Sequence, residues 1–249
     1  MLRPTLIRQS IVSVLLGLIA AVCVATQPCD AALINLTPTN GVNSQDSVSL
    51  GSLVSGATEG IQVGDKLFTG FNYSRIGDMP LASDVNVLGF RDPFGNWGIS
   101  FHGAFVDLPG NGFSDALIRF VVDIDPVFLQ QGYRISDAHL FLGGVGVGEN
   151  SAFIVDESFL GLNETMSVFK STINQGGTKL SDSAYFDPTM TRLHVTKDVF
   201  ALAAEGSSLP ARATVIDQSF SQTNIPEPAT LMILALGSFG LISKVRRRT

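Results

Sequence analysis

From residue 32 to about 223 the chain alternates apolar and polar positions with a period of two, the mark of strands with one buried face. Ala116, Ile118, Phe120, Val122 and Ile124 share one parity, with Arg119 and Asp123 on the other. Ile99, Phe101, Gly103 and Phe105 alternate with Ser100, His102 and Ala104, and Leu67, Phe71 and Tyr73 alternate in part. Two runs carry a charge in the apolar phase: Glu157 falls in step with Phe153, Val155 and Phe159, and Lys197 with Leu193, Val195 and Val199. Thr214, Ile216 and Phe220 share a face that Asp217 does not.

Turn residues punctuate these runs at Pro93-Phe-Gly-Asn96, Leu108-Pro-Gly-Asn-Gly112, Gln175-Gly-Gly177 and Glu205-Gly-Ser-Ser208. The spacing predicts about ten to twelve strands in an all-β, antiparallel sandwich or jelly-roll-like body. The competing α+β reading has only Val127–Gln131 and Asp198–Glu205 to offer as helices, the second of which also fits a strand end. Residues 37–60, rich in Thr, Asn, Ser and Gly, read as a long loop or as weak edge strands.

The two ends follow other rules. Arg3 and Arg8 precede the uncharged run Ile11–Ala25, and small residues follow to Ala32. This is the layout of a signal peptide with an apolar helix, cut by signal peptidase after Ala31, or second after Ala25, once the general secretion machinery has engaged it. The alternative is an uncleaved membrane anchor. Cleavage after Ala31 removes both Cys23 and Cys29, so thiol catalysis and thiolate metal sites drop out. The domain plan is then 1–31 signal peptide, 32–223 body and 224–249 C-terminal signal.

That C-terminal segment holds Pro226, Glu227 and Pro228, an uncharged stretch from Pro228 to Ser243, and a basic cluster of Lys244, Arg246, Arg247 and Arg248. Sixteen helical residues span about 24 Å, short of the roughly 30 Å hydrocarbon core, and the flanking Lys and Arg side chains can snorkel to extend it. The basic cluster favours the cytoplasmic side, which puts the body outside. Tripeptide, short apolar helix and terminal Arg run, in this order, resemble the PEP-CTERM sorting signal of Gram-negative bacteria. The resemblance implies that Pro226, Glu227 and Pro228 are read by an exosortase, a membrane-embedded cysteine transpeptidase. It also implies transient inner-membrane anchoring, removal of the helix, and delivery to the cell envelope, surface or exopolysaccharide matrix. The other reading of the segment is a plain single-pass anchor with a Pro-rich stalk.

The body resembles the secreted β-rich domains that precede such tails, in Val63-Gly-Asp-Lys-Leu-Phe68, Asn96-Trp-Gly-Ile-Ser-Phe101, Ser114-Asp-Ala-Leu-Ile118, His194-Val-Thr-Lys-Asp-Val199 and Asp217-Gln-Ser-Phe-Ser-Gln222. That resemblance implies an architecture and a setting, not a reaction. Chemistry is sparse. The three histidines, His102, His139 and His194, sit in separate strand-like runs with no local metal spacing. Gly51-Ser-Leu-Val-Ser-Gly56 lacks the spacing of a nucleophile elbow. Gly143-Gly-Val-Gly-Val-Gly-Glu149 precedes a strand pattern, not a helix, so it reads as a flexible or bulged hairpin connection rather than a phosphate loop. Glu149, Asp156 and Glu157 offer acids for sugar chemistry and Asp123 and Asp125 oxygens for a structural Ca²⁺, but neither set has a Ca²⁺-loop or glycosidase pattern. Trp97 is a candidate for stacking on a sugar face and equally fits the core.

Composition sharpens this picture. The chain is 45% hydrophobic and 15% charged, with net charge -6, yet the charge is uneven: +1 up to residue 31, +3 from residue 226, and -10 between them. An acidic exported body excludes nucleic-acid binding and favours solubility or cation-bridged matrix contacts. The expectation is a non-enzymatic, structural or adhesive protein without a cofactor. A polysaccharide-binding module that uses Trp97 is the alternative, and a secreted hydrolase ranks third.

Overall fold

Alternation becomes fourteen strands in the computed structural model, which describes residues 32–38 and 43–225. They are β1 (Leu33–Asn35), β2 (Asn43–Ser49), β3 (Gly60–Val63), β4 (Lys66–Ile76), β5 (Asn86–Arg91), β6 (Trp97–Asp107), β7 (Ser114–Ile124), β8 (Tyr133–Gly143), β9 (Ala152–Phe159), β10 (Thr165–Ser171), β11 (Gly177–Lys179), β12 (Ser181–Met190), β13 (Arg192–Leu202) and β14 (Ala211–Asn224). Helix α1 (Leu50–Val54) follows β2, and α2 (Pro126–Gln130) follows β7. An eight-stranded sheet runs β1-β3-β4-β7-β13-β9-β10-β11, and a six-stranded sheet runs β12-β8-β14-β6-β5-β2. The described pairings are antiparallel except β1 with β3, which is parallel and departs from the expected wholly antiparallel pattern.

One hydrophobic core lies between the sheets, in a β-sandwich. Aromatic pairs bridge the gap: Phe101 of β6 and Phe120 of β7 at 6.0 Å, Phe68 of β4 and Phe220 of β14 at 6.0 Å, and Phe159 of β9 and Phe186 of β12 at 5.0 Å between centroids. Each such ring, removed from water, contributes about 1.5–3 kcal/mol. The β7 parity is realised in full, with Ala116, Ile118, Phe120, Val122 and Ile124 all buried.

The structure departs from the sequence pattern at defined points. In β4 the core face is taken by Lys66 and Phe68, not Leu67. A register shift between Thr69 and Asn72 then returns Phe71 to the core. Gly70 sits at φ +63 in this bulge, where a side chain would be strained. Residues 37–60 are neither all loop nor all strand: β2 pairs with β5 at the sheet edge. Ser49 then caps α1 by accepting from the Ser52 N–H at 3.1 Å, while Leu50 and Leu53 are buried. The stretch Val127–Gln131 overlaps α2, which Asp125 caps through the Val127 N–H at 2.8 Å. Asp198–Glu205 is not helical, because β13 continues to Leu202. The glycine run is not a hairpin connection. It leaves β8 in one sheet and reaches β9 in the other, and Gly146 bridges to Arg212 on the way. Val145 and Val147 are half-buried against the core along this crossing.

The predicted signal segment with Ala31, the Pro226–Pro228 tripeptide, the membrane helix and the cluster Lys244, Arg246, Arg247 and Arg248 lie outside the described residues. Among the described residues no helix is long and apolar enough to cross a membrane.

Candidate functional site

The two outer faces of the sandwich differ. On the eight-stranded sheet, Asp115, Asp156 and Asp198 crowd together, and Arg192 holds Asp123 through Nε and a second guanidinium nitrogen at 2.7 and 3.1 Å. His194 is exposed on this side. On the six-stranded sheet the outward parity carries rings. In register across the strands, Ser183, His139, Ser219, Gly98 and Phe90 form one row, and Ser181, Phe141, Asp217, Ser100 and Leu88 the next. Tyr185, Asp137 and Ser221 form a third.

Side chains from these rows build a ridge. Phe90 meets Phe141 edge-on at 6.2 Å, Phe141 stacks with His139 at 6.4 Å, and His139 reaches Phe94 at 6.5 Å. A groove of about 360 Å³ is lined by Phe94, His139, Phe141, Ser181, Asp182, Ser183 and Tyr185. Phe94 is 79% exposed and Tyr185 71% exposed, so both rings stand free at its margins.

Phe94 is presented by a tight turn that one carboxylate organises. Asp92 accepts from the backbone N–H groups of Phe94 and Asn96 and from Asn96 Nδ2, each at 2.9 Å, and from Ser219 Oγ at 2.7 Å. Burial acts to raise the Asp92 carboxyl, but these hydrogen bonds hold it below the usual carboxylate range. A Cβ on Gly98 would come within 1.7 Å of the Gln218 carbonyl oxygen, so glycine at this position lets β14 lie close against β6.

His139 Nε2 lies 2.8 Å from Asp137 Oδ1 and 3.1 Å from Ser221 Oγ. The Asp137 carboxylate raises the imidazole above its ordinary value against the effect of burial. Burial pushes Asp137 up, but His139, Ser221 and Ser136 more than offset it and hold the carboxyl low. Both close contacts involve the same ring nitrogen. A proton relay from Ser221 to Asp137 needs opposite ring nitrogens, so the arrangement is a carboxylate–imidazole contact, an ion pair when His139 is protonated, and not a nucleophile triad.

The remaining sequence candidates are scattered. Trp97 is half-buried at the core margin. A Cβ on Gly64 would come within 2.5 Å of its ring, and the Arg91 guanidinium lies 4.7 Å from its centroid. Asp156 and Glu157 point to opposite faces of β9, with Glu157 buried in the core, so they do not flank a common ligand with Glu149. Asp123 is held by Arg192, and Asp125 caps α2 and accepts from Gln62 Nε2 at 3.1 Å, which leaves no shared Ca²⁺ position. Among the described residues no group of three His, Cys, Asp or Glu side chains has metal-holding geometry. The sequence does contain the signal for the ridge: Asp137, His139 and Phe141 alternate with Ala138, Leu140 and Leu142, and Phe94 sits inside a Pro-Phe-Gly-Asn turn.

Residues 224–248 match the PEP-CTERM protein-sorting motif. The chain therefore carries the signal of an exported, transiently membrane-anchored protein that an exosortase-type membrane enzyme processes. No curated protein matches it in sequence. Among solved structures it is similar to TmCBM61 in complex with β-1,4-galactotriose, at 14% identity over 61% of this chain and 88% of that one, TM-score 0.28. A second is one of the carbohydrate-binding modules of promiscuous specificity from the β-sandwich superfamily, at 9% identity over 62% and 57%, TM-score 0.26. A third is the family 11 carbohydrate-binding module of Clostridium thermocellum with a β-1,3-1,4-mixed-linked tetrasaccharide, at 7% identity over 63% and 91%, TM-score 0.23. At such scores these likenesses carry no argument about this chain.

Proposed function

We propose that this is a non-catalytic exported protein, sorted through its C-terminal signal to the cell envelope or exopolysaccharide matrix, where it acts as a structural or adhesive component by holding polysaccharide on the outer face of its six-stranded sheet. The observation that carries the ligand class is the pair of exposed rings, Phe94 and Tyr185, at a groove that Ser181, Ser183 and His139 also line. Aromatic faces pack on the C–H faces of sugars, and the polar groups between them bond sugar hydroxyls. The -10 charge of the body repels polyanions and favours neutral chains. The nearby acids are engaged, Asp92 in its turn, Asp137 with His139, and Asp182 with Lys179 at 2.7 Å, which supports a binding role over an acid–base one. Trp97 packs half-buried against the core and is not among the residues that line this groove.

The test is retention on immobilised polysaccharides. Neutral glycans should retain the purified chain, and Phe94→Ala and Tyr185→Ala should weaken retention several-fold, while an anionic glycan should not compete. Retention that both variants leave unchanged overturns the binding face. For sorting, cells with an active exosortase should release a chain lacking the tail. A full-length tail that persists in those cells, or a fusion that reports the body in the cytoplasm, overturns the sorting account.

A further inference from the structure

The core contains an assembly that ligand binding does not use. Lys197 of β13 and Glu157 of β9 face each other in register on the inner side of the eight-stranded sheet. Gln218 of β14 points in from the six-stranded sheet. Lys197 and Gln218 are fully buried and Glu157 is 2% exposed. Lys197 Nζ contacts Glu157 Oε2 and Gln218 Oε1, so the amine, the acid and the amide meet at one point between the sheets. Glu157 Oε1 and Gln218 Nε2 are buried without a hydrogen-bond partner.

As a plain ion pair this is a poor arrangement. Burying two charges costs several kcal/mol per ion unless every remaining lone pair and proton is satisfied, and an amide N–H₂ left unpaired adds to the cost. As a reactive centre it is complete. A lysine amine is a nucleophile once it is unprotonated, an amide carbonyl beside it is the electrophile, and a carboxyl group in contact with the amine can move protons. Burial pushes the Lys197 amine down and the Glu157 carboxyl up, both toward the neutral forms the step requires.

We propose that Lys197 and Gln218 become joined by an isopeptide bond, with Glu157 moving the protons, so that the two sheets are covalently tied through the core. The step begins from Lys197 as –NH₂ and Glu157 as –COOH. Nζ attacks Gln218 Cδ and forms the new C–N bond. Glu157 gives its proton to Nε2 and takes one from Nζ. The Cδ–Nε2 bond breaks, ammonia leaves, and Glu157 is again –COOH. No oxidant, cofactor or activated group is consumed. The bond removes the unpaired Nε2, and its dry surroundings keep water from competing as the nucleophile. Lys66, the other lysine buried among the described residues, reaches Gln222 from the opposite sheet at 3.3 Å, but Gln222 is only half-buried.

The test is tryptic mapping of the full chain after complete denaturation. The bond blocks cleavage after Lys197. The expected product is a branched species, in which Leu193–Arg212 is linked to the peptide that begins at Ala213, lighter than the two together by one ammonia. Free Leu193–Lys197 in full yield, with an unmodified Gln218 peptide, overturns the proposal. Lys197→Arg keeps a cation opposite Glu157 but offers no nucleophile, so the branched species should vanish; an ammonia deficit at Gln218 that survives this change also overturns it. Glu157→Gln keeps the shape and should slow bond formation roughly a hundredfold; unchanged yield refutes the role given to Glu157. The wild-type digest decides the bond itself even where a variant fails to fold.

Discussion

Asp92→Ala removes one carboxylate and should release the turn that carries Phe94. Four hydrogen bonds end on that carboxylate, two from backbone N–H groups, one from Asn96 Nδ2 and one from Ser219 Oγ. Ser219 is fully buried, so its hydroxyl is left without a partner, at about 1–3 kcal/mol. The loop donors lie nearer water and rehydrate in part, at about 0.5 kcal/mol or less each. The sum is about 3 kcal/mol, and Asp92→Asn, which keeps one acceptor, should lose roughly half of it. The deficit has a definite pH dependence. The folded carboxyl lies below its unfolded value, so its stabilisation is present above an unfolded pKa of about 3.9 and is lost as pH falls through the folded one. Wild type and variant should therefore converge in acid. Denaturant unfolding at neutral pH with an unchanged slope measures the effect. A loss under about 1 kcal/mol, or a deficit that does not shrink on acidification, refutes the view that Asp92 organises this turn.

Other positions separate core from surface. Phe120 is 1% exposed and lies within 6.1 Å of the Phe68, Phe71 and Phe101 rings, so Phe120→Ala should cost about 3–5 kcal/mol in denaturant unfolding, whereas Phe94→Ala should stay within about 0.5 kcal/mol. Burial, with Asp115 and Asp156 beside it, pushes Asp198 up to about 6, so its folded state is penalised as pH rises from about 4 to 6. Asp198→Asn should then raise stability at pH 7 by no more than about 1 kcal/mol after solvent screening, and by nothing near pH 4. The raised His139 imidazole contributes stability that is present below about pH 6.5 and is lost as pH rises through its folded value; an Asp137→Asn variant that retains this dependence in thermal unfolding contradicts the ion pair.

Much of the fold was legible because period-two alternation is a direct image of a half-buried strand, and β7 shows it without interruption. The pattern failed where the backbone breaks its own period. Gly70 allows the bulge after Phe68 that brings Phe71 onto the core face, so the phase read from Leu67 to Tyr73 holds only beyond it. Sheet membership was not legible either. The glycine run after β8 passes to the opposite sheet, with Val145 and Val147 packed on the core and a Cβ on Gly144 or Gly148 barred by Thr214 or Ser207. At the site, Trp97 drew attention as the one tryptophan, but exposure is a tertiary property, and its ring is engaged by Gly64 and Arg91. The outward phase of β8 and the turn at Phe94 were readable; their meeting with Tyr185 depends on the register of β8 with β12. Glu157 and Lys197 both stood in the apolar phase of their strands, and only the register of β9 with β13 joined them. The C-terminal signal was readable throughout, since its meaning lies in linear order.

Isothermal titration of the purified chain with soluble neutral oligosaccharides, against Phe94→Ala and Tyr185→Ala, tests the central claim most directly. Loss of one stacked ring should weaken binding by about 1 kcal/mol, several-fold in affinity, with the unfolding curve unchanged because both rings are exposed. Full-strength binding by both variants, or no heat with any neutral glycan, contradicts the assignment of this face as a polysaccharide-binding surface.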